Sequence, residues 1–170
     1  MAQAHLGEKR ALILGAETAA GRVLATALSA AGAHTAIVAA TADATVAFEV
    51  QRLSHRIGAA SQAIDATNEM AVRVMIRQIS KRLGGLNLLL FSADLGDGTA
   101  DALALASRFA AREITRTGEG TIVIALPKET AADIPALAAA YEPQGVHVLA
   151  LDLPPQPDEA WALEVLELLP

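Results

Sequence analysis

From Ala11 onward, short apolar runs alternate with turns of Gly or polar residues and with longer segments of helical periodicity. Parallel strands cannot be joined by tight hairpins and need a crossover of a dozen or more residues, usually a helix. An alternation of this kind therefore restricts the chain to successive βαβ units. Ala11–Leu14 is the first run, and Gly21–Ala31 follows it with Val23, Leu24, Ala27 and Leu28 on one helical face before Gly32. Thr35–Ala39 is the second run. Asp43 is placed to cap a helix reaching about Ile57, and Gly58 to stop it. Ala60–Ile64 is a weak third run. The helix after it, about Asn68–Leu83, is read with Met70, Val74 and Ile79 as a buried stripe between Arg73, Arg77, Lys81 and Arg82, ending at Gly84-Gly85. Leu86–Phe91, Thr121–Leu126 and His147–Leu151 are continuous apolar runs, as strands covered by helices on both faces require. Helices over about Ala100–Thr115 and Ala131–Tyr141 separate them, and a last helix, about Asp158–Leu169, follows Pro154-Pro155-Gln156-Pro157. The fold predicted is α/β: a Rossmann-like, doubly wound parallel sheet of about six strands with helices on both faces.

A chain of 170 residues holds one substantial core and is too short for two ordinary ones, so residues 1–170 are expected to form a single domain. Hydrophobic residues make up 53 % and charged residues 19 %, more apolar surface than one small sheet covers comfortably, which points to burial in an oligomer. The net charge of −6, with Lys and Arg dispersed along the sequence, speaks against nucleic acid as a partner. The absence of cysteine removes disulfides, thiol nucleophiles and thiolate metal sites, and a cytoplasmic location is the default expectation. Met1–Arg10 is charged and lacks a signal-like apolar run, and no stretch reaches the roughly 20 apolar residues of a membrane span. No membrane association is expected.

Several segments in order carry a resemblance. Leu14-Gly15-Ala16-Glu17-Thr18-Ala19-Ala20-Gly21 lies between the first strand and the first helix, Ile64-Asp65-Ala66-Thr67-Asn68 follows the third strand, and Gly85-Leu86-Asn87-Leu88-Leu89-Leu90 leads into the fourth. Gly120-Thr121-Ile122-Val123 and Gly145-Val146-His147-Val148-Leu149-Ala150 continue the series. Together they resemble the TGxxxGxG, DVTD, GxLDxLVNNAG, GxIVNISS and GIRVNAVAPG segments of the short-chain dehydrogenase/reductase superfamily, from about Arg10 to Pro155. The resemblance implies an NAD(P) cofactor, with Gly15 and Gly21 at the pyrophosphate, Asp65 near the adenine and Ala93 in the loop beside it. A glycine at the strand end permits the tight turn, and one at the helix start lets backbone amides approach a phosphate that the helix N-terminus favours.

The departures fall where the family's chemistry lies. The leading Thr is Leu14 and the middle Gly is Ala19, whose methyl group obstructs close approach, while Glu17 adds a carboxylate near the phosphate position. NNAG becomes Phe91-Ser92-Ala93-Asp94, in which Ala93 alone survives. The catalytic serine position aligns with Leu126-Pro127. The YxxxK pair is absent: a Tyr hydroxyl relays a proton when a Lys one turn away lowers its pKa, but Tyr141 is followed by Gly145 at that offset. Tyr141 is read instead as a helix-end residue over the sheet edge. The segment Lys128–Ala136 is short beside the family's equivalent, consistent with a deletion of the site. Ala39-Ala40-Thr41 offers neither the acidic residue for the ribose hydroxyls nor an Arg for a 2′-phosphate. The substrate-binding insertion is reduced to Leu153–Pro157.

Asp94, Asp97, Asp101 and Asp152 follow strand ends where carboxylates can bind a hard cation, but the preferred reading is a turn at 94–98 and a first-turn helix residue at Asp101, so no metal is assigned. His5, His34, His55 and His147 lack ligand spacing, and Ser92 lacks a nucleophile-elbow context. Leu103, Leu105, Phe109, Ala110, Ile134, Leu137 and Ala138 are candidates for an apolar dimer surface, with burial against the chain's own sheet as the competing reading. The functional expectation is a non-catalytic, short-chain-dehydrogenase-like association or regulatory subunit, paired with itself or with an active relative. No catalytic residue is assigned. The alternatives are an NAD(P)(H)-binding sensor without turnover, and an NAD(P)-dependent oxidoreductase using unrecognised groups.

Overall fold

A strand buried on both faces carries no polar alternation, and the apolar runs of this sequence are of that kind. The computed structural model describes residues 5–130 and 132–170. Among them β1 (Arg10–Leu14), β2 (His34–Ala39), β3 (Ala60–Ala63), β4 (Leu88–Phe91), β5 (Gly120–Ile124) and β6 (Val146–Ala150) form one parallel sheet in the order β3-β2-β1-β4-β5-β6. In register, Leu12 lies between Ala36 and Leu89, and Ile13 between Ile37 and Leu90. The helices are α1 (Ala19–Ala30), α2 (Ala44–Ile57), α3 (Glu69–Leu83), α4 (Thr99–Thr117), α5 (Ile134–Tyr141) and α6 (Glu159–Leu168). The predicted α/β architecture is the one observed. The order in which strands are added reverses between β1 and β4, which leaves a crevice over the C-terminal ends of those strands.

Successive strand residues point to opposite faces, so each strand feeds two cores. Ile13, Ile37, Leu88, Leu90 and Val123 pack with α1, α2 and α6 on one side. Leu12, Leu14, Leu89, Phe91 and Ile122 pack with α3 and α4 on the other. The local signals at helix ends act as read: Asp43 accepts a hydrogen bond from Val46 N at 3.1 Å, and Gly58, at φ +71°, closes α2 in a conformation other residues adopt only with strain. Asn68, Asp133 and Asp158 cap α3, α5 and α6 in the same way.

Four expectations need correcting. The buried stripe of α3 is Val72, Met75, Ile76 and Ile79, an i, i+3, i+4, i+7 set. Of the residues read into it, Ile79 is buried, whereas Met70 and Val74 are 62 % and 44 % exposed, because they lie on the helix face turned away from α4 and the sheet. Leu103, Phe109 and Ala110 of the expected dimer surface are buried against the chain's own sheet and α3, while Leu105, Ile134, Leu137 and Ala138 are half-buried. Lys and Arg residues dispersed in sequence are gathered in space, seven of the thirteen lying on α3 and α4. Finally, α5 begins at Ile134, with Pro135 in its first turn. The expected start at Ala131, and Met1–Ala4 of the segment Met1–Arg10, lie outside the described residues. Among the described residues no helix is long and apolar enough to cross a membrane.

Candidate functional site

At the reversal point the turn after β1 and the loop after β4 are in contact. Gly15 has φ +100°, and a Cβ there would sit 2.3 Å from the amide nitrogen of Ala93 and 2.6 Å from its Cα. A Cβ on Gly21 would sit 2.3 Å from the carbonyl oxygen of Gly15 and 2.7 Å from Ser92 Oγ. Both glycines thus make room for protein atoms: the β1–α1 turn, the first turn of α1 and the loop leaving β4 are in direct contact. Ser92 Oγ, buried, donates to the Gly15 carbonyl at 2.9 Å, and Thr18 Oγ1 donates to the same oxygen at 3.0 Å. Thr18 Oγ1 also accepts from Gly21 N at 3.0 Å, so the third amide of α1 is satisfied by the N-cap. Ala19, at the family's middle glycine position, is exposed. Glu17 Oε1 accepts from Ala40 N at 3.1 Å and links the turn to the end of β2. A carboxylate therefore stands between the two strand ends over which a dinucleotide would lie.

Of the four residues predicted from the sequence, Gly15, Gly21 and Ala93 come together, and Ala93 is fully buried beneath the turn. Asp65 stands two strands away, exposed at the exit of β3. Its Oδ1 accepts from Thr67 Oγ1 at 2.6 Å and from Thr67 N at 3.0 Å. The Thr67 hydroxyl, and then its amide, hold this carboxyl below the usual carboxylate range. Sequence reasoning missed Ser92 as the residue that fastens the two loops, because the 77-residue separation between Ser92 and Gly15 leaves no local signal.

Elsewhere around the crevice the polar groups are committed to turns or to solvent. Asp94 Oδ1 accepts from Gly96 N at 3.4 Å, and Thr99 Oγ1 accepts from Leu95 N at 2.8 Å, which builds the turn expected at 94–98. Lys128 and Asp152 form an exposed pair at 3.9 Å across the exits of β5 and β6. Leu126 is buried, and Pro127 follows it. Tyr141 packs on the core beneath α4, and burial raises its phenol above the ordinary tyrosine value, against a smaller lowering by the Arg108 and Arg112 guanidiniums. Among the described residues no group of His, Asp and Glu is arranged to hold a metal ion.

A six-stranded parallel sheet in this order, with helices on both faces and a reversal between β1 and β4, defines a Rossmann-type fold. No protein-family model matches the sequence, and no curated protein matches it either. Solved structures match the fold over most of the chain. A short-chain type dehydrogenase/reductase from Mycobacterium marinum superposes with a TM-score of 0.70 and 24 % identity, over 87 % of this chain and 75 % of that one. A short-chain dehydrogenase from Burkholderia cenocepacia J2315, in complex with NADP, superposes with a TM-score of 0.66 and 27 % identity, over 86 % of this chain and 74 % of that one. A short chain oxidoreductase from Pseudomonas aeruginosa PAO1, described as containing an atypical catalytic center, gives a TM-score of 0.73 at 16 % identity, over 86 % of this chain and 70 % of that one. The chain has the fold of the short-chain dehydrogenase/reductases.

Proposed function

We propose that this chain is a degenerate short-chain-dehydrogenase-like protein, one domain over residues 1–170, that has no turnover and acts through association as a structural or regulatory subunit. Its partner is a second copy or an active relative. The observation that carries the reading is the wiring of the β1–α1 turn. The glycines that remain, Gly15 and Gly21, are those whose Cβ atoms would strike protein, while the position through which a pyrophosphate approaches is Ala19. The Gly21 amide is taken by Thr18, and the Glu17 carboxylate occupies the passage towards β2. These residues fit a dinucleotide poorly: the Gly21 amide is already paired and the added charge repels phosphate.

The chemistry fails on separate grounds. Reduction of a carbonyl needs a group that holds a proton at the developing alkoxide. Leu126 and Pro127 present no hydroxyl where the family's serine stands, and Tyr141 has no Lys one turn onward. Burial moves the Tyr141 phenol away from the working range of a general acid rather than towards it.

A second reading, nucleotide binding or oxidoreductase activity through other groups, draws support from the neighbours: one was crystallised with NADP and another has an atypical catalytic center. Calorimetric titration with NADH and NADPH separates the two readings. No heat at high nucleotide concentration is the expected result. Saturable micromolar binding to the purified protein would overturn the proposal and make a carbonyl and alcohol screen the next step.

A further inference from the structure

Charge is segregated in this molecule. Arg73, Arg77, Lys81 and Arg82 lie on α3, and Arg108, Arg112 and Arg116 on α4. Against the three carboxylates on those helices they leave a net +4, and hence −10 on the remainder of a chain whose total is −6. The opposite extreme is the C-terminal stretch 129–170, with eight carboxylates and no Lys or Arg. Glu69 pairs with Arg108, and Glu113 with Arg116, but among the described residues Arg73 and Arg77 hold no ion pair.

The same two regions expose apolar side chains. On α3, Met70 and Val74 are 62 % and 44 % exposed, and the rows Met70/Val74 and Arg73/Arg77 each repeat after one turn, about 6 Å along the axis. A groove of about 540 Å³ beside Met70 and Val74 is lined also by Gln62, Ile64, Asp65 and Met75. On α6, Leu163 and Leu168 are 50 % and 59 % exposed and stand next to Glu164 and Glu167, which are exposed as well. On α3 the apolar row Met70/Val74 thus runs beside the cationic row Arg73/Arg77, with Asp65 on the groove side, and on α6 Leu163 lies beside Glu167 and Glu164, while Leu168 stands about 140° further round the helix. The two helices pack on opposite faces of the sheet, so they cannot meet within one molecule.

We propose that α6 of one copy docks along α3 of the next, with Leu163 seated against Met70, Val74 and the adjoining groove, and with Glu164 and Glu167 facing Arg73 and Arg77. The proposal rests on the association reading above and names its surface. A contact between two different patches is heterologous, so it propagates into a ring or an open chain rather than a two-fold dimer. A nucleic acid is the poorer occupant of the α3 face. The exposed Met70 and Val74 offer nothing to phosphates, and the overall charge of −6 repels a polyanion at range.

Sedimentation velocity on the full chain over a concentration series tests this. Association is expected to strengthen at low salt and weaken as the Debye length shortens. R73E/R77E and E164K/E167K are each expected to weaken it by more than about tenfold, since like charges then face each other, and the quadruple variant carrying both reversals is expected to restore it. Thermal melts verify that each variant is folded. Wild-type association that persists in both double reversals overturns this surface while leaving the association reading standing. A wild-type chain that stays monomeric throughout the series and gains no partner from added reductase overturns both. Tight, salt-dependent binding of a fluorescent DNA duplex, lost in R73E/R77E, assigns the α3 face to nucleic acid and overturns the docking proposal.

Discussion

Gly21→Ala separates a glycine kept for packing from one kept for a ligand. The added methyl group would lie 2.3 Å from the Gly15 carbonyl oxygen, 2.7 Å from Ser92 Oγ and 3.0 Å from Ala16 Cα. The first and last of these are backbone atoms in the turn after β1 and cannot rotate away, so the helix start must shift, at about 1–3 kcal/mol for overpacking of this kind. Ser92 can turn aside only by surrendering its 2.9 Å bond to Gly15 in a buried setting, which costs about 1–3 kcal/mol more. Alanine's helix propensity returns about 1 kcal/mol. The net loss is about 3 kcal/mol, which for a chain of this length corresponds to a melting temperature lower by about 6–12 °C. Urea and thermal unfolding by circular dichroism measure it, with Ala19→Gly as the control. Ala19 is exposed and touches no such neighbours, so its replacement costs at most about 1 kcal/mol. A Gly21→Ala melting temperature within about 2 °C of wild type would refute the argument that protein contact holds this position, and with it the main support for the association reading.

Three further outcomes are expected. Ser107 Oγ and Thr121 Oγ1 are buried without a hydrogen-bond partner among the described residues, so Ser107→Ala and Thr121→Val should be neutral or stabilising by up to about 1 kcal/mol; a loss above that in either variant would reveal a bond to the hydroxyl. Tyr141 is the sole tyrosine, so near-ultraviolet absorbance reports its phenolate alone; it should ionise above the ordinary value of 10.0, and a midpoint below 10.0 would revive it as a proton donor. The sign follows from linkage: a raised folded pKa means that Tyr141's contribution to stability is present below the unfolded value and is lost as pH rises through the folded one. Asp65 has the opposite sign, its lowered pKa giving a contribution present above 3.8 and lost as pH falls through the folded value. Thr67→Ala should return the Asp65 carboxyl towards 3.8 in a carbon-detected NMR titration, and an unchanged midpoint would discount the Thr67 hydroxyl as the cause.

Much of the architecture was legible in the residues because its signals are local. Runs such as Leu88–Phe91 announce strands covered on both faces, Asp43 and Gly58 bracket α2, and the order of strands and helices forces parallel pairing. That Tyr141 has no Lys four residues on, and that Leu126-Pro127 carry no hydroxyl, is likewise read from the residues alone. Element ends were less so: Leu86 and Asn87 read as strand but precede β4, where Asn87 Oδ1 accepts from Arg10 N at 2.8 Å and its Nδ2 donates to Glu8 O at 3.0 Å.

Other features belong to the assembled molecule. The phase of α3 could not be read from a helix in which apolar residues occur on two faces; packing against α4 and the sheet buried Val72, Met75, Ile76 and Ile79 and left Met70 and Val74 outside. The clustering of cations arose because α3 and α4, separated in sequence by a strand and a turn, lie side by side. At the crevice, Gly15, Gly21 and Ser92 acquire their roles only when β4 is laid beside β1. A glycine's spacing along the chain shows that a turn is tight, whereas what the turn is tight against depends on a neighbour brought in from 77 residues away.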